Sequence, residues 1–369
     1  MTFARAALIA FALVAAASSA TGQPVDGHLC PPERIVDRVH VMRQPDRLWA
    51  VVIGNVTIIE QRRGIVLIDT GGTPRDGRDI VAAVRRLTRK PIIAVVFTHW
   101  HNDHPLGARA ILAAWPRARI IATDATRRGM IERMGRNTGI GRPEPALDTR
   151  RLNLTFDDIR TFEANARSDR LTPSERAHYA TEARYARARV GEQMGNFMIL
   201  PNTIVADRLL LPDAEAPVEI RFLGRANTNG DLIAWLPRQR VVVTGDIVVA
   251  PIPYGFNSFV TDWTATLDRI RALDFAVLIP GHGAPQRDRA YLDRLQTSLR
   301  RVQERVAPLA AQGLPVEEVQ RRIDYADEIA AFGGADPWTA RWLRNYWLNP
   351  ITVSAWRQAT GAPIPAPIP

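Results

Sequence analysis

The chain has 369 residues but only one cysteine and one lysine. Cys30 has no second cysteine to pair with, so no internal disulfide can form whatever the redox state of the compartment. The residues before it, Gly27-His28-Leu29, do not form a lipoprotein-processing site, and the thiol is read as a tolerated side chain. Because Lys90 is the only lysine, the formal charge of +10 rests almost entirely on arginine. The arginines are spread through every segment rather than gathered in a block. The excess therefore reads as solvated surface in an Arg-rich composition, not as a nucleic-acid or membrane footprint.

Long apolar runs are also scarce. Residues 6–17 form one, preceded by Arg5 and followed by Ser18-Ser19-Ala20. It is too short to cross a bilayer and has no basic flank on its far side, so residues 1–20 read as a cleaved secretory signal. Nothing later is long and apolar enough to span. The expected product is an exported protein, periplasmic or extracellular, with no stable membrane anchor; its oligomeric state is not readable from sequence.

Histidine is sparse too, with seven residues, yet three of them fall within Thr98-His99-Trp100-His101-Asn102-Asp103-His104. Neutral imidazole and carboxylate are the groups that suit zinc and its neighbours, provided they converge while deprotonated. Residues 92–97 read as a buried strand, so the cluster sits at a strand end, where α/β proteins collect their chemistry.

Around this cluster the chain opens with strands at 38–42, 48–53, 55–60 and 65–69, and His40 in the first is read as structural. An amphipathic helix is expected at 76–89, and Pro105 suits the first turn of a helix at 106–115. A strand at 119–122 and a helix at 124–134 follow. Residues 135–200 change texture and read as a helical insertion. Within it, 174–191 reads as a surface helix lacking a capping box, with His178 solvated. Strands return at 219–223, 231–236, 241–244 and 275–279, with a helix at 262–273 before the last of them. Helices are expected at 287–310, 315–331 and 337–348, and a Pro-rich tail ends the chain. The division is 1–20 signal, 30–310 main domain carrying the 135–200 insertion, and 311–369 extension and tail.

The cluster resembles the His-x-His-x-Asp-His signature of the metallo-β-lactamase-fold superfamily, mostly metal-dependent hydrolases. Further segments occur in the expected order: residues 66–72 ending a strand in Asp69, residues 224–231, Thr244-Gly245-Asp246, and Pro280-Gly281-His282-Gly283. The resemblance covers roughly residues 33 to 300 and is nearest the glyoxalase-II-like and periplasmic quinoprotein-relay-type branches. It implies an αββα sandwich, here with a helical insertion and a C-terminal helical extension. It implies one or two zinc ions, or another divalent metal. The first would lie on His99 and His101 with a later histidine, and the second on Asp103, His104 and His282, with Asp246 bridging and Asp69 buttressing the metal loop.

One ligand departs from that pattern. Where the branch places the later histidine of the first site, this chain has Asn227, whose amide oxygen is a poor zinc ligand. A mononuclear enzyme loaded at the second site is therefore expected. His99, His101, Asp103 and Asn227 are the candidate catalytic groups, as ligands, proton carriers or water-orienting donors. A divalent metal acidifies bound water and polarises the oxygen it touches, so the expected activity is hydrolysis of an ester, thioester, lactone or amide-type bond of a small molecule, with no nucleic-acid partner. The alternatives are a catalytically degenerate binding protein on the same fold and a β-lactamase. The second is disfavoured because Asp246 stands where lactamases carry Cys or Ser.

Overall fold

The computed structural model describes residues 28–44, 52–134, 156–193, 196–334 and 336–363. The expected signal, part of the strand at 48–53, residues 135–155 of the expected insertion and the end of the tail lie outside them.

Twelve strands are found among the described residues, in two sheets. The first runs β1 (Glu33–Val36), β2 (Val39–Met42), β3 (Val56–Glu60), β4 (Ile65–Ile68), β5 (Ile92–Val96), β6 (Arg119–Ala122), β7 (Thr203–Ile204). It is antiparallel up to β4 and parallel beyond. The second runs β12 (Val277–Ile279), β11 (Val241–Val243), β10 (Leu232–Leu236), β9 (Val218–Phe222), β8 (Arg208–Leu211), with β11 and β12 parallel.

Successive side chains on a strand point to opposite faces, and these strands are apolar on both. Val66, Ile68, Ala94 and Val96 turn inward to meet Ile220, Leu232, Ala234 and Val243 of the other sheet. Leu67 and Val95 turn outward onto Ile80 and Val84 of α1 (Pro74–Leu87) and Ile111 of α2 (Ala108–Ala114). After β6 come α3 (Asp124–Gly129) and a π turn (Met130–Met134), then α4 (Phe156–Ala166) and α5 (Pro173–Gln193) of the insertion. On the far side Trp235, Val242 and Leu278 face α6 (Val260–Arg271) and α7 (Ala290–Ala311). The expected αββα layering is what the chain adopts.

β1, β7 and β8 stand where no strand is expected, and three helical segments also differ from expectation. Residues 315–331 form two helices, α8 (Val316–Arg322) and α9 (Ala326–Phe332), because Asp324 accepts from Ala326 N and starts the second. Residues 337–348 comprise α10 (Pro337–Leu343) and a π turn (Arg344–Leu348), and the chain stays helical through α11 (Asn349–Thr360), ending at Gly361 with φ +70°. α5 does have a capping box, against expectation, and it begins two residues before Ser174: Thr172 Oγ1 accepts from Glu175 N, while Glu175 accepts from Thr172 N. No helix of the described residues is long and apolar enough to cross a membrane.

The C-terminal helices share the core of the second sheet. Trp347 is fully buried, meets Trp263 of α6 edge-on at 5.7 Å and donates from Nε1 to Ser298 Oγ of α7. Trp347→Ala should therefore cost about 3–5 kcal/mol, lowering the single unfolding midpoint in denaturant. An unchanged midpoint would mean that these helices fold apart from the sheet.

Candidate metal centre

Strand direction brings the sequence-distant ligands together. β4 and β5 are parallel, so Asp69 and the segment 98–104 emerge side by side from their C-terminal ends. β11 and β12 deliver Asp246 and His282 in the same way, and β10, antiparallel to β11, begins just after the loop that holds Asn227. Two backbone hydrogen bonds lock the sheets at this edge: Leu232 N to Thr98 O at 2.8 Å and Asn55 N to Gly281 O at 2.7 Å.

The six candidate ligands form two triads, His99–His101–Asp246 and Asp103–His104–His282. Asp246 belongs to both by geometry. Its Oδ2 lies 3.6 Å from His99 Nε2 and 4.0 Å from His101 Nδ1, whereas its Oδ1 lies 3.3 Å from His104 Nε2 and 3.4 Å from His282 Nε2. Asp103 Oδ2 closes the second set, 3.1 Å from His282 Nε2 and 3.6 Å from His104 Nε2. Four ligands arranged tetrahedrally around zinc stand roughly 3.3 Å apart. The carboxylate-to-imidazole distances of the second set, 3.1–3.6 Å, lie around that spacing, and those of the first, 3.6 and 4.0 Å, are longer.

These atoms are also buried without partners. His99 Nε2, Asp103 Oδ2, His104 Nε2, Asp246 Oδ1 and His282 Nε2 make no hydrogen bond, an arrangement whose cost a cation among them would remove. The residues present fit a divalent metal.

The model of one family, described as the metallo-beta-lactamase superfamily, matches residues 49–282, more than half of the chain. The chain belongs to that superfamily. It is 23% identical over 299 residues to a linear primary-alkylsulfatase from Pseudomonas sp., a match spanning 74% of this chain and 51% of the relative. A shorter stretch of 59 residues, 16% of this chain and 9% of the relative, is 46% identical to an (R)-specific secondary-alkylsulfatase from Pseudomonas sp.. Among solved structures, the stereoselective inverting sec-alkylsulfatase from Pseudomonas sp. superposes with a TM-score of 0.59 at 18% identity, covering 89% of this chain and 50% of that one. A metallo-beta-lactamase from Pontibacter korlensis gives 0.50 at 16% identity, over 74% and 99% respectively. The chain thus spans about half the length of the alkylsulfatases it resembles.

In this member of the superfamily the ring orientations are set from behind. Asp69 accepts from His104 Nδ1 at 2.8 Å and from Thr98 N and Oγ1, leaving His104 Nε2 to face the cluster. Since the Thr98 hydroxyl donates to Asp69, its lone pair takes the proton of His99 Nδ1 at 3.0 Å, and His99 Nε2 is likewise turned inward. Asn55, which the sequence reading missed, donates to Pro280 O and Gly283 O and fixes the loop of His282. Close approach does the rest. A Cβ on Gly281 would stand 2.0 Å from Asp246 Oδ1, and one on Gly54 would stand 2.4 Å from the His104 ring.

Asn227 is brought to the same edge. Its Nδ2 donates to Tyr254 O at 2.8 Å, leaving a buried Oδ1 with no partner. Asp231 holds this loop by accepting from Thr228 N and Ala226 N, although burial lifts its carboxyl to about 6. His40 lies within β2 and His178 on α5, both away from the cluster.

The electrostatics show what the cluster lacks. Burial alone would lower His104 and His282, but the carboxylates of Asp103 and Asp246, joined by Asp69 at His104, hold His104 well above the ordinary imidazole range and His282 at about 9. Against the same burial, those imidazolium charges keep Asp103 and Asp246 low. His99, buried beside His104, is held well below its usual value. Without a cation, protons on His104 and His282 neutralise the carboxylates. A metal must displace them, so below about pH 9 its apparent affinity should fall as pH falls, by about tenfold per unit for each proton displaced. Calorimetric zinc titration at neutral pH, in buffers of differing protonation enthalpy, should show roughly one or more protons released per zinc bound. Uptake without proton release would refute this ligand set.

Proposed function

We propose that this chain is an exported zinc-dependent hydrolase of small esters, loaded mainly through Asp103, His104, Asp246 and His282. The observation that carries the reading is the division of Asp246, one oxygen to each triad, with the shorter carboxylate-to-imidazole distances around the second. A zinc ion held there would acidify water and polarise the ester oxygen. Export rests on the apolar run near residue 10.

The protein's own groups have separate tasks in this reading. His104 and His282 would hold the metal through Nε2 once it has displaced their protons. His101, the more exposed imidazole of the first triad, receives a proton from the attacking water. Asn227 Oδ1, buried and unpartnered, accepts from that water and orients it. Sulfate esters head the substrate classes, supported by the two alkylsulfatase relatives; carboxylic esters and lactones follow. The asparagine at 227 favours a second reading, a binding protein that no longer turns over. Five other unpartnered atoms retained in one buried cluster weigh against it.

Sulfate release from octyl sulfate, followed by ion chromatography beside 4-nitrophenyl acetate and γ-lactone hydrolysis, tests the proposal. Turnover of at least one substrate should vanish with chelator, return with zinc and be absent from His282→Ala. A zinc-loaded, folded protein inert toward all of them would favour the binding protein.

A further inference from the structure

We infer that Arg189, on the inserted helix α5, is the docking cation for an anionic group of the substrate. The inference extends the ester-hydrolase reading by naming the charge its substrate carries.

α5 is not the solvated helix its composition suggests. One face is buried and includes Tyr179, Glu182, Ala183, Tyr185, Ala186, Arg189 and Val190. Its N-terminal end is pinned to the C-terminal helices by Arg341 to Glu175 at 2.8 Å and by His178 stacked on Trp338. Its C-terminal end reaches the start of α1, where Arg189 comes to lie beside the metal loop. A Cβ on Gly72 would stand 2.7 Å from Arg189 Nη2 and 3.0 Å from Asp103 Cα. The guanidinium thus flanks the residue whose carboxylate completes the second ligand set.

Arg189 is 3% exposed, yet its Nε and Nη1 donate to nothing. A buried guanidinium normally has its donors filled, because each loses water on burial. Asp76 does not fill them. Its Oδ2 stands 3.9 Å from Nη1, beyond hydrogen-bond range, and already accepts from Gly72 N at 3.0 Å, while its Oδ1 meets His28 at 3.4 Å. The fork geometry of guanidinium matches an oxyanion with two donors at once. Its position beside Asp103 sets a fixed positive charge next to the cluster, where it attracts an anionic substrate. A sulfate, phosphate or carboxylate headgroup shares the required chemistry.

The test compares wild type, Arg189→Lys and Arg189→Met by calorimetric binding of 1-octanesulfonate, octyl phosphate, octanoate and uncharged 1-octanol, alongside hydrolysis of octyl sulfate and 4-nitrophenyl acetate. Wild type should bind at least one of the three anions about tenfold or more tighter than octanol, and the tightest of them identifies the headgroup. Arg189→Met should abolish that preference and raise KM for the anionic ester about tenfold, with zinc content and KM for 4-nitrophenyl acetate unchanged; Arg189→Lys should retain part of it. Equal binding of octanol and all the anions by wild type would overturn the inference even if Arg189→Met failed to fold. So would equal loss on charged and neutral esters, the signature of a structural arginine. Arg-dependent anion binding without turnover would instead remove the hydrolase reading and leave Arg189 in its role.

Discussion

The constraint on which the site depends is the placement of one carboxylate. Asp246 has to present Oδ2 to His99 and His101 and Oδ1 to His104 and His282. It does so only because Gly281 has no side chain: the space a Cβ would take is the space Oδ1 occupies. Neither residue could be placed without the parallel pairing of β11 and β12, which brings Thr244-Gly245-Asp246 and Gly281-His282 out of the sheet as neighbours. The fold's contribution to chemistry is thus register rather than shape. A slip of one residue in either strand would reverse every side chain of it and empty the centre.

Burial then raises the stakes. Carboxylates and imidazoles taken out of water must be neutralised, and the shifts run in the direction that need dictates, His104 and His282 upward and Asp103 and Asp246 downward. Asp69 and Thr98 prevent the simplest escape, rotation of the rings away from one another, by occupying the outward-facing nitrogens of His104 and His99. What results is a rigid cluster whose positive charge comes from protons that a metal can replace, which is the physical description of a metal site. In the proposed reading the asymmetry between its halves follows from the loop before β10. Asn227 there can offer only an amide oxygen, and its nitrogen is committed to Tyr254.

Much of this was legible in sequence because it is local. The histidine cluster is contiguous, the apolar runs of β4, β5 and β10 are continuous, and Asp246 and His282 lie in short recognisable segments. The features that escaped depend on contacts between distant parts of the chain. Asn55 works through carbonyls more than 220 residues away, and nothing near it in sequence signals that role. α5 escaped because its buried face carries Glu182 and Arg189, so its charge pattern reads as a solvated helix. Only packing against α1 and the C-terminal helices turns that face inward. Its capping box pairs Thr172 with Glu175, two residues ahead of the start that its composition suggests at Ser174.

The central claim is that one metal site is complete and the other is broken at Asn227. Elemental mass spectrometry of zinc on wild type and Asn227→His, purified without chelator and dialysed against trace zinc, tests it directly. The account predicts about one tightly held equivalent in wild type and about two in Asn227→His. No zinc in wild type, or the same stoichiometry in both proteins, would contradict it.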